Sequence, residues 1–142
     1  MPDTERRVAF VTGASRGIGR AVALRLALDG RHVVLVSRSE GPLSEVKAEI
    51  EQAGGSASVA AVDVGDAEAL RGVVEGVIED LGRLDILVNN AGVTRDNLVL
   101  RMTDEEFSHV IHVNLTAAFV TAREAARAMM RGKFGRIVNI GS

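Results

Sequence analysis

The chain has 142 residues, a length that fits one domain, and 46% of them are hydrophobic, enough for a sizeable core. Its formal net charge of −2, from 17 Lys and Arg against 19 Asp and Glu, offers no basic surplus for nucleic acid and no acidic tail. With no cysteine, a disulfide framework and thiolate chemistry are excluded, and a cytoplasmic location is expected.

From the N-terminus, Met1-Pro2-Asp3-Thr4-Glu5-Arg6-Arg7 lacks the apolar core of a secretory signal, and no apolar run is long enough to cross a bilayer. Val8–Thr12 then reads as a strand, followed by Thr12-Gly13-Ala14-Ser15-Arg16-Gly17-Ile18-Gly19 at the opening of a helical pattern that stops near Gly30. His32–Ser37 is a second apolar strand. Leu43, Val46 and Ile50 mark a helix ending at Gly54, and Ser58–Val62 is the third strand. Asp66 is an N-cap for the best helical stripe of the chain, Leu70, Val73, Val74, Val77, Ile78 and Leu81, which Gly82 closes. Leu84–Asn89 is the fourth strand. Thr103-Asp104-Glu105-Glu106 reads as a capping box, Ala117–Met130 as a helix rich in small residues, and Arg136–Ile140 as the fifth strand.

The strand segments are rich in Val, Ile and Leu without strict alternation, as in strands buried on both faces. Strands alternating with helices predict an α/β fold, a doubly wound parallel sheet of the Rossmann type, with residues 1–142 forming one nucleotide-binding domain. The glycine segment sits between strand and helix. There, free backbone N–H groups and the positive end of the helix dipole converge on an anion. Glycine also lets a diphosphate come close to the backbone.

Dinucleotide sites often carry an acid at the end of the second strand, for the ribose 2′-hydroxyl. This chain has Ser37-Arg38-Ser39 there, and Arg16 inside the loop. An acid repels a 2′-phosphate, whereas guanidinium pairs with it, so NADP(H) is the expected cofactor. Asp63-Val64 and Asn89-Asn90-Ala91-Gly92 close the third and fourth strands, on the side where such sheets bind ligands. His32, His109 and His112 have no convincing set of partner ligands, so no metal is expected and they read as surface or packing residues.

These motifs, with Val113-Asn114-Leu115 and Gly141-Ser142, resemble the short-chain dehydrogenase/reductase family over the whole chain. Thr94-Arg95-Asp96-Asn97-Leu98 and Arg101-Met102-Thr103-Asp104-Glu105-Glu106-Phe107 resemble its 3-oxoacyl-[acyl-carrier-protein] reductase branch. The resemblance implies that Gly13, Ser15, Arg16, Gly17, Ile18 and Gly19 hold the cofactor phosphates and that Arg38 takes the 2′-phosphate. Asp63 and Val64 would meet the adenine, while Asn90, Ala91 and Gly92 line the nucleoside. Asn114 would interrupt its helix and hold a water in a proton relay, and Ser142 would hydrogen-bond the substrate carbonyl. The implied reaction is NADPH-dependent reduction of a 3-oxoacyl thioester, as in fatty acid biosynthesis. The implied partner is an acyl carrier protein, and a homotetramer would be built partly on Ala117–Met130. Arg131, Lys133 and Arg136 offer a cationic patch for that acidic carrier, or else complement a helix C-terminus.

One departure limits the reading. The family's Tyr-x-x-x-Lys, which delivers the proton, follows the serine, and this chain contains no tyrosine. The expectation is therefore the N-terminal portion of a longer reductase, with the C-terminal strands missing and no turnover from this portion alone. A different short-chain carbonyl or alcohol dehydrogenase, a non-catalytic cofactor-binding module, and another nucleotide enzyme such as a methyltransferase are the alternatives.

Overall fold

The computed structural model describes residues 6–90 and 99–141. Five strands, β1 (Val8–Thr12), β2 (His32–Ser37), β3 (Ser56–Ala61), β4 (Ile86–Asn89) and β5 (Arg136–Asn139), form one parallel sheet in the order β3-β2-β1-β4-β5. The helices are α1 (Gly17–Leu28), α2 (Glu40–Gln52), α3 (Ala67–Leu81), α4 (Asp104–Ile111) and α5 (Ala117–Gly132). A π-helical turn, His112–Thr116, joins α4 to α5.

The strands alternate cleanly between two cores. Val8, Phe10, Val34, Val36 and Leu87 pack with Leu70 and Val74 of α3 and with Ala125, Ala128 and Met129 of α5. Ala9, Val11, Val33, Leu35, Ile86 and Val88 pack with Ala23 and Ala27 of α1 and with Leu43, Val46 and Ile50 of α2. Apolar side chains on both faces of the inner strands thus require helices on both sides, which is the doubly wound arrangement expected from the segment pattern.

Local chemistry sets the helix ends as the sequence implies. Asp66 Oδ1 accepts the Ala69 N–H at 3.1 Å, and Gly82 closes α3 at φ 76°. The Thr103 hydroxyl accepts the Glu106 N–H at 3.1 Å at the start of α4.

Four strand boundaries differ from expectation, one of them the end of β3, which falls at Ala61 rather than Val62. β3 begins at Ser56 rather than Ser58, because Ser56 and Ser58 hydroxyls flank the His32 ring across the β2–β3 register, at 2.5 and 3.1 Å. β4 begins at Ile86 rather than Leu84. The buried Asp85 carboxylate takes the Val8 N–H at 2.8 Å and chelates Arg83 at 2.7 and 3.0 Å, turning that segment into a side-chain clamp. β5 ends at Asn139, although the Ile140 N–H still donates to Asn89 O at 3.0 Å. β5 also departs from the inner strands in burial: every residue of this edge strand is exposed, Ile137 and Val138 included.

Candidate functional site

The order β3-β2-β1-β4-β5 reverses direction between β1 and β4, and the C-terminal ends of those two strands open the crevice where such sheets take ligands. A cleft of about 690 Å³ lies there, framed by the loop after β1, the ends of β2 and β3, and α4. Gly13, Ser15, Arg16, Gly17, Ile18, Arg38, Asp63, Val64 and Asn90 all line it.

The glycine loop is held from below. The Ala14 N–H donates to Val36 O at 3.2 Å, and the Asn90 side-chain amide donates to Gly13 O at 3.3 Å. Gly13 and Gly17 have φ of 63° and 58°, values that disfavour any side chain. Gly19 is buried at the first turn of α1, and a Cβ there would overlap the Gly13 carbonyl and lie 2.5 Å from Asn90 Nδ2. The first turn of α1 holds no acidic residue, and its N-cap Arg16 gives no side-chain cap. Its positive end therefore faces the cleft without an internal counter-charge.

Around the rim, Arg38 is exposed just beyond β2, and Ser37 also lines the cleft. The Ser37 hydroxyl oxygen is buried and has no hydrogen-bond partner among the described residues. At the end of β3, Asp63 Oδ1 accepts the Gly65 N–H at 2.9 Å, which shapes the loop behind Val64.

Asn114 sits inside the π-helical turn and is exposed; its neighbour Val113 is buried and lines the cleft. The helix is therefore interrupted where the motif was expected to interrupt it, by one widened turn. Ala91, Gly92 and Ser142, also singled out in the sequence, lie outside the described residues.

The histidines sit as surface or packing residues: His109 is exposed and lines the cleft, and the half-buried His112 donates from Nε2 to the Gly65 carbonyl at 2.6 Å. Their i, i+3 spacing showed a shared helix face but not what that face meets. No cluster of three metal-ligating side chains occurs among the described residues, and no helix among them is long and apolar enough to cross a membrane.

A sequence model of short chain dehydrogenases matches residues 7–142. The chain belongs to the short-chain dehydrogenase family. Among curated relatives of this chain are the 3-oxoacyl-[acyl-carrier-protein] reductases FabG of Escherichia coli (strain K12) and Vibrio harveyi. They are 42% and 41% identical over 138 residues, which is 97% of this chain and 55% of each relative. The chain thus spans about half the length of the curated relatives it matches. A metagenomic short-chain oxidoreductase solved in complex with NADP superposes with a TM-score of 0.92 at 43% identity, over 96% of this chain and 62% of that one. A 3-oxoacyl (acyl-carrier-protein) reductase from Agrobacterium tumefaciens C58 with NADP bound superposes at 0.90 with 36% identity, over 96% of this chain and 52% of that one.

Proposed function

We propose that this chain is the NADP(H)-binding N-terminal portion of a cytoplasmic short-chain reductase. That enzyme would reduce a 3-oxoacyl thioester on acyl carrier protein to the 3-hydroxyacyl form in fatty acid biosynthesis, as a homotetramer. The observation that carries the reading is a single cleft joining a glycine-rich helix start to Arg38, with no acid at the end of β2. Positive φ at Gly13 and Gly17 and the uncapped start of α1 suit a diphosphate. Arg38 and Arg16 suit a 2′-phosphate, and the unpartnered Ser37 hydroxyl is a hydrogen-bonding group in need of a ligand atom. The relatives named above add the substrate class.

Bound NADPH would supply hydride to the β-keto carbon. The chain's own residues would do the rest of the binding work. The loop from Gly13 to Gly19, with Ser15 and Ile18, would seat the phosphates; Asp63 and Val64 would border the adenine; Asn90, Ala91 and Gly92 would line the nucleoside. Asn114, at the widened turn, would hold a relay water, and Ser142 would stabilise the developing charge on the substrate oxygen. Proton delivery by a Tyr-x-x-x-Lys pair would have to come from outside these 142 residues, which contain no tyrosine. The exposed Arg131 and Lys133 at the end of α5 would meet the acidic carrier.

Calorimetric titration with NADPH and NADH tests the cofactor assignment: NADPH should bind and NADH should bind more weakly. Equal affinity would remove the 2′-phosphate argument, and tighter binding of S-adenosylmethionine would favour a methyltransferase. Incubation with NADPH and an acetoacetyl thioester should give no turnover from these residues alone, and turnover would overturn the proposed division of labour.

A further inference from the structure

His112 opens the π-helical turn, and its Nε2 lies 2.6 Å from the Gly65 carbonyl oxygen. A carbonyl only accepts, so Nε2 carries the proton. The same glycine is held from its other side: its N–H donates to Asp63 Oδ1 at 2.9 Å, and the Asp66 N–H donates to Asp63 O at 2.9 Å. The loop after β3 is therefore closed by its own aspartate and then tethered, across 47 residues of sequence, by one imidazole.

The two parts are also in close contact. A Cβ at Gly65 would lie 3.2 Å from Asp63 Oδ1 and 3.6 Å from Val113 Cγ2, so the loop packs directly on the π-helical turn. Val62, Asp63 and Val64 line the cleft from the strand side, and His109 and Val113 line it from the helix side. His112 is not itself among the residues that line the cleft. Its Nε2–H donates to the loop that carries the opposite wall.

We propose that His112 is a positioning residue for the nucleoside end of the cleft. Through the Gly65 carbonyl it sets the spacing between the Asp63–Val64 strand end and the His109/Val113 helix face, where the adenosine half of NADP(H) is received. The proposal rests on the cofactor reading above. An imidazole suits the task because it is a rigid donor of fixed reach, and a part-buried carbonyl left without its donor would let the loop relax toward solvent.

The test compares the chain with His112→Phe, which keeps a ring but has no donor, and His112→Gln, whose amide can donate to the same oxygen. Each is titrated calorimetrically with NADPH and with 2′,5′-ADP, and each is melted thermally to confirm folding. His112→Phe should weaken both ligands about tenfold, the scale of one net hydrogen bond. His112→Gln should recover to within about threefold of the parent, less than half a hydrogen bond's worth. Parent-like binding by His112→Phe overturns the proposal. So does a loss seen with NADPH but not with 2′,5′-ADP, or a His112→Gln variant as weak as His112→Phe. A parent chain that binds neither ligand overturns instead the cofactor reading.

Discussion

The backbone N–H of Asn90 donates to the Thr12 hydroxyl at 3.0 Å, joining the ends of β4 and β1 across 78 residues of chain. With the Asn90 side-chain amide on Gly13 O, this pair fixes the floor on which the glycine loop turns. Gly19 completes that floor, because its missing side chain leaves room for both the Gly13 carbonyl and Asn90 Nδ2. Gly19→Ala should therefore abolish measurable NADPH binding and lower the thermal midpoint, since the methyl displaces backbone. Gly17→Ala meets nothing within 4 Å but has φ +58°, so it should cost only backbone strain of about 1–2 kcal/mol. Equal effects of the two substitutions, read by titration and thermal melting, would contradict this account.

Arg38 is exposed at the rim of the cleft, so removing it disturbs no core. Charge-assisted bonds to phosphate contribute about 1.5–3 kcal/mol, so Arg38→Ala should weaken NADPH by roughly ten- to a hundredfold. Affinity for NADH, which lacks the 2′-phosphate, should be unchanged. A parallel loss with both cofactors would place the 2′-phosphate elsewhere.

Much of this arrangement was legible in the sequence because it is local. A strand, a glycine turn and a helix start over residues 8–28 each follow from apolar runs, positive-φ positions and periodicity. The Leu70–Leu81 stripe likewise points at a sheet whatever the rest of the chain does. The misplaced starts of β3 and β4 have the opposite origin: they depend on partners distant in sequence, the His32 ring between two serines and the Val8 N–H on Asp85. The surroundings of His109 and His112 were hidden for the same reason. Helical spacing gives a face, but only the packed structure shows that the face meets the loop after β3.

Asp85 anchors the sheet at the end away from the cleft. It is 2% exposed, accepts the Val8 N–H, and holds Arg83 through two hydrogen bonds. That hydrogen bonding raises the Arg83 guanidinium above its ordinary value, against a smaller opposing effect of burial, with charge attraction to Asp85 adding to the rise. A raised cation stabilises the fold at every pH below its ordinary range and loses that contribution only as pH climbs through the raised value, so the Arg83 side of the pair gives no stability change around neutrality. Asp85→Ala strands the Val8 N–H and should cost about 2–4 kcal/mol by denaturant unfolding, with Asp85→Asn intermediate. NADPH affinity of the folded fraction should stay at the parent value, and a large drop would mean that the two ends of the sheet are coupled.

Phe107, Ile111, Leu115 and Phe119 recur every four residues through α4, the π-helical turn and α5, and are 58%, 40%, 63% and 60% exposed. Helical spacing of four keeps such residues on neighbouring ground, so they form one apolar stripe rather than scattered surface positions. Burying a large apolar side chain contributes about 1.5–3 kcal/mol, and a twofold contact buries the stripe twice. That total is on the scale of the ~4–15 kcal/mol lost on association, so pairing through this face is energetically reasonable. The chain should therefore sediment above monomer mass at micromolar concentration. Leu115→Glu combined with Phe119→Glu should shift it to monomer while leaving the thermal midpoint within a few degrees, because both side chains are already exposed in the protomer. A parent that sediments as a monomer, or a double variant that sediments like the parent, would remove this face from the proposed assembly.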